Sequence, residues 1–69
     1  MTEEQYEQQY RRIRGKIIQA GFTDNPEQNS FTKENQPNIT YALVRSSILA
    51  SSGESNKAWK IIREMVPAI

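Results

Sequence analysis

With 69 residues and a net charge of +1, this chain makes one small domain and excludes a strongly basic nucleic-acid arm or an acidic mimic of DNA. It has no Cys and no His, which excludes disulfide bracing, thiolate metal sites, and the commonest general base and metal ligand. No apolar run approaches the roughly 20 residues a bilayer span needs.

The opening Thr2-Glu3-Glu4-Gln5 is not a basic segment leading into an apolar one, so no secretory signal is expected. A cytoplasmic protein is the expectation, and the Asn38-Ile39-Thr40 sequon then has no meaning. Thr2 followed by Gln5 has the form of a capping box. The spacing predicts a first helix over about residues 3–20. Glu3, Glu4 and Glu7 fall at its positive end, and Arg11, Arg12, Arg14 and Lys16 toward its negative end. Tyr6, Tyr10, Ile13, Ile17 and Ala20 form its apolar stripe, and Gly21 is its stop.

Residues 22–37 change character. They are rich in Asn, Gln, Thr, Glu and Pro, with Phe22 and Phe31 as the apolar exceptions. A long polar connection is expected, with a short helical turn after Pro26 and with Phe31 plugged into the core. Two readings stay open for it, a recognition loop or a disordered spacer.

A second helix is predicted over residues 39–51, with Pro37 or Asn38 at its start. Ile39, Tyr41, Ala42, Leu43, Val44, Ile48, Leu49 and Ala50 surround it, and Arg45 is its only charge. A helix apolar nearly all round is expected to be buried, here as a central rod covered by the other two. Gly53 is expected to stop it. Glu54 or Ser55 then caps a third helix over residues 55–66, closed by Pro67. Its apolar face is Ala58, Trp59, Ile61, Ile62, Met65 and Val66. The fold expected is therefore all-α, a three-helix bundle in one domain spanning residues 1–69.

No reaction chemistry stands out. Asp24, Glu27 and Glu34 do not follow a calcium-loop pattern, and the serines have no His beside them. The expectation is a non-enzymatic protein without metal or cofactor.

Two function classes remain. The leading one is a protein-interaction module, an adaptor or regulator that self-associates or docks on a larger protein. It would use an apolar–aromatic patch of Tyr6, Tyr10, Arg11, Arg14 and Ile18 with Trp59 at its far side, because Tyr, Trp and Arg dominate binding hot spots. Gly15, mid-helix and opposite the Tyr6–Ile17 stripe, would allow close approach of a partner on the Arg11 and Ile18 side.

The alternative is a nucleic-acid-binding regulator. The Ser52-Gly53-Glu54-Ser55 junction joins the last two helices as in a helix-turn-helix. Leu49 and Trp59 depart from the small and β-branched residues that motif prefers at those positions. Its carriers would be Asn56, Lys57, Lys60 and Arg63 on the last helix, with Arg12 and Lys16 on the backbone. Glu7 lies one turn before Arg11, whereas Arg12 and Lys16 share a side with no acidic partner in the helix.

Overall fold

The structure, a computed structural model, describes residues 2–66. Helix α1 (Glu3–Gln19) leads into strand β1 (Thr23–Asn25), a 3₁₀ turn (Pro26–Gln28), strand β2 (Ser30–Thr32) and strand β3 (Ile39–Thr40). Helices α2 (Tyr41–Ala50) and α3 (Ser55–Met65) complete the chain. The strands form one antiparallel sheet in the order β1-β2-β3. The protein is thus mixed α/β, and the expected all-α bundle is wrong in its middle third.

The helix ends follow local chemistry. At the start of α1, the Thr2 N–H donates to Gln5 Oε1 at 3.0 Å and the Gln5 N–H to Thr2 Oγ1 at 3.2 Å. That is the reciprocal capping box, which satisfies two otherwise free donors. At its end Gly21 adopts φ +98°; its N–H donates to the Ile18 carbonyl, and that of Phe22 to Ile17. This pairing is a Schellman motif, and it brings Phe22 onto Ile17, both of them buried. Lys33 adds its ammonium to the Ala20 carbonyl at 2.8 Å.

The segment read as a polar connection is a β-hairpin with a third short strand. Asp24 lies opposite Phe31 and Asn25 opposite Ser30, while Phe31 pairs onward with Ile39. The 3₁₀ turn after Pro26 occurs as expected. Asn29 and Asn35 turn the chain with φ of 50° and 62°, a conformation Asn tolerates better than most residues. Phe31 is fully buried and meets Tyr41 edge-on, with ring centroids 5.3 Å apart. Ser30 is buried too, and its hydroxyl has no hydrogen-bond partner among the described residues.

Ile39 and Thr40 belong to β3, so the second helix starts two residues later than expected. Its cap is Thr40, whose Oγ1 accepts from the Leu43 N–H at 3.1 Å, and not Pro37 or Asn38. This helix is not a central rod. Val44, Ser47 and Ile48 are buried, but Ala42, Arg45, Ser46 and Ala50 are exposed and Leu49 is 52% exposed. The sheet supplies Phe31 and Ile39 to the core, where a bundle would have needed more of α2. The core joins Ile13 and Ile17 of α1, Val44 and Ile48 of α2, and Ala58 and Ile62 of α3 to those two and Phe22.

The stop of α2 also differs from expectation. The Gly53 N–H reaches the Ile48 carbonyl and the Ser52 N–H reaches Leu49. Ser52, not Gly53, therefore holds the first left-handed position, at φ 54°. A residue with a Cβ loses about 1 kcal/mol there. Ser52→Gly is accordingly expected to stabilise the fold by about 1 kcal/mol, or roughly 4–8 °C in Tm. A melting curve unchanged or lowered by this substitution would contradict the strain at Ser52.

Helix α3 begins at Ser55 after Glu54, whose side chain makes no cap bond but pairs with Lys57 at 3.2 Å. It ends at Met65, one residue short of the expected boundary, and Pro67 lies outside the described residues. None of these helices is long and apolar enough to cross a membrane.

Candidate functional site

Helix α1 buries a stripe centred on Ile13 and Ile17, and its two flanks remain open in different ways. On the first flank, Tyr6 and Tyr10 stack with centroids 6.3 Å apart and half-bury against the core. They line a groove with Glu7, Arg11 and Arg14. Tyr6 carries that groove onward to a second one, shared with Thr2, Glu3, Arg45 and Leu49. The result is a continuous apolar floor of Tyr10, Tyr6 and Leu49 with charges along both rims.

Those rims are ordered by ion pairs. Arg11 lies 4.0 Å from Glu7, one helical turn earlier, with both side chains largely exposed. Such a pair contributes little to stability. Arg14 reaches across to Asp24 of β1 at 3.3 Å. Asp24 also accepts a hydrogen bond from the Tyr41 hydroxyl. This carboxylate therefore ties the hairpin to α1 and α2 together. Ile18 is 38% exposed, one turn beyond Arg14, and extends the same flank.

The hydrogen bond to Asp24 pushes the Tyr41 pKa up to about 12, with burial and the carboxylate charge adding to it. Burial also raises the Tyr10 hydroxyl, and Asp24 raises it further. Tyr41 is neutral in the fold up to a higher pH than in the unfolded chain, where it titrates near 10. Its contribution is therefore complete below about pH 10 and is lost as pH rises toward 12. An ultraviolet titration should show Tyr41 as the last tyrosine to ionise, and Tyr41→Phe should remove that late step. Three tyrosines ionising together near pH 10 would refute the bond to Asp24.

The second flank of α1 faces α3. Gln9 and Arg12 line a cleft with Gly53, Glu54, Ser55 and Asn56. The Ser55 hydroxyl donates to the Gln9 side-chain carbonyl and clips the two helices together. Below that clip, the Lys16 ammonium lies over the Trp59 ring, 5.9 Å from its centroid. Lys60 and Arg63 are exposed farther along α3.

The residues expected to form one partner patch thus divide. Tyr6, Tyr10, Arg11, Arg14 and Ile18 share the first flank. Trp59 lies across the buried stripe on the second flank, against Lys16. Of the expected nucleic-acid residues, Arg12, Lys16 and Asn56 come together on the second flank, Lys60 and Arg63 are exposed along α3, and Lys57 pairs with Glu54. Outside its own stretch of helix, Gly15 has no heavy atom of the described residues within 4 Å of where a Cβ would stand, so none of them uses it for close approach.

Two residues of the first flank were missed by pattern reading, Leu49 and Arg45. The signal was there: Arg45 is the only charge on α2, and Leu49 follows it by one turn on the same side. Among the described residues no cluster of three or more acidic side chains is arranged to hold a metal. Comparison of the chain with protein-family models, with curated proteins and with solved structures finds no match.

Proposed function

We propose that this protein is a small non-enzymatic interaction module that works through its first flank and self-associates there. One observation carries the reading. Leu49, 52% exposed, shares a groove with Tyr6 between two opposite charges, Glu3 on α1 and Arg45 on α2. An exposed leucine beside a half-buried tyrosine, rimmed by charge, has the anatomy of an interface core.

The charge layout favours a second copy as the occupant. In a two-fold contact the same patch meets itself. Arg45 of each copy then faces Glu3 of the other, while Leu49 and Tyr6 close over the axis. Self-association also relieves the marginal stability of so short a chain. The hydroxyls of Ser47 and Ser51 are held by carbonyls of their own helix, at 2.8 and 2.9 Å, which supports a binding rather than a catalytic role. A cysteine-free sequence is compatible with a reducing compartment, and a cytoplasmic location is part of this proposal.

Sedimentation across the micromolar range tests the association. The weight-average mass should rise above the 8.0 kDa of one chain as concentration increases. A constant monomer mass at every concentration would overturn the self-association.

A further inference from the structure

We propose that the second flank is a nucleic-acid site, in which Arg12, Lys16, Lys60 and Arg63 take the phosphate backbone of duplex DNA. None of these four cations lines the Tyr6–Leu49 groove.

The first support is unspent charge. Arg11, Arg14 and Lys57 each have a carboxylate within 4.0 Å, but among the described residues Arg12, Lys16, Lys60 and Arg63 have none. The second is placement. Arg12 and Lys16 are one turn apart on the side of α1 that meets α3, as the shared cleft with Asn56 and the Lys16–Trp59 contact show. On α3, Asn56, Lys60 and Arg63 recur at i, i+4 and i+7 and are all exposed. Glu64 borders this row beside Lys60, away from Asn56 and Arg63.

The third support is dimension. Packed helices lie about 8–10 Å apart, and the major groove is about 12 Å wide and admits one helix. With α3 in the groove, the cations of α1 fall on the flanking phosphates, and Asn56 is the side chain able to read a base edge. A membrane surface fits less well, because this row has no exposed apolar side chain to insert beyond half-buried Trp59.

Anisotropy of a labelled random-sequence duplex, titrated with the full chain at several salt concentrations, tests the proposal. Four phosphate contacts predict a log–log slope of about −3.6, a loss of about 150-fold in affinity from 50 to 200 mM salt. Lys16→Gln and Lys60→Gln should each lower the slope by about 0.9. Lys57→Gln should lower it less, since that ammonium is already paired with Glu54 at 3.2 Å. Lys57 and Lys60 are exposed and Lys16 is half-buried against Trp59, so an unchanged melting temperature in each variant certifies the fold. No binding at 50 mM salt, a flat slope, or equal losses with Lys57→Gln would overturn the site. So would tighter binding to single strands or to anionic vesicles than to the duplex.

Discussion

Phe31→Ala is expected to cost about 3–5 kcal/mol, enough to unfold much of the population at room temperature. A chain of this length has roughly 3–10 kcal/mol of total stability, so the loss takes from about a third of it to all of it. Phe31 has no exposed surface, pairs across the sheet with Asp24 and Ile39, and sets its ring against Tyr41. Truncation leaves a cavity in the core that Phe31 shares with residues of all three helices. Phe31→Leu, which keeps most of the volume, should cost under about 1.5 kcal/mol. Urea denaturation followed by circular dichroism measures both. An alanine variant with the native midpoint would mean that the hairpin is an appendage and not part of the core.

Leu49→Glu is expected to do the opposite, leaving the fold intact and dissolving the self-associated form. The side chain is half in solvent, so its replacement should change stability by no more than about 0.5 kcal/mol. At a two-fold contact the change is felt twice, and loss of one central anchor is worth at least about 2 kcal/mol, or roughly 30-fold in the dissociation constant.

Charge exchange then identifies the occupant. Glu3→Arg and Arg45→Glu should each weaken association alone, because like charges meet across the axis. Mixed together they should restore it, since each supplies what the other lacks. Mixing restores nothing if the groove serves a different protein, and that result would redirect the proposal from a second copy to a heterologous partner.

The two flanks answer to different physics, which makes their failures separable. Contact through Leu49 and Tyr6 is mainly apolar, and only its Glu3–Arg45 rim is open to screening by salt. Contact through Arg12, Lys16, Lys60 and Arg63 is screened within about a Debye length, some 8 Å at physiological salt. A salt titration therefore moves the second far more than the first.

What the chain states locally could be read from it directly. Thr2 with Gln5, the Tyr6–Ala20 stripe and Gly21 define the first helix, and the apolar face from Ala58 to Val66 defines the last, because capping and helical period are properties of neighbouring residues. Phe31 was legible as a core residue because a lone aromatic in a polar stretch has nowhere else to go.

The sheet was not legible. Strands of two or three residues are too short to show alternation, and their pairing, Asp24 to Phe31 and Phe31 to Ile39, joins positions that no local window contains. The same limit hid the first flank. Sequence showed that α2 was apolar on most sides, but which sides are covered depends on what packs there. Once the sheet supplied Phe31 and Ile39, Leu49 was left in solvent beside Tyr6. Only the tertiary arrangement sent Trp59 to Lys16 and away from the tyrosines, because the side of α1 each residue meets is set by how the helices pack, and local period carries no information about that.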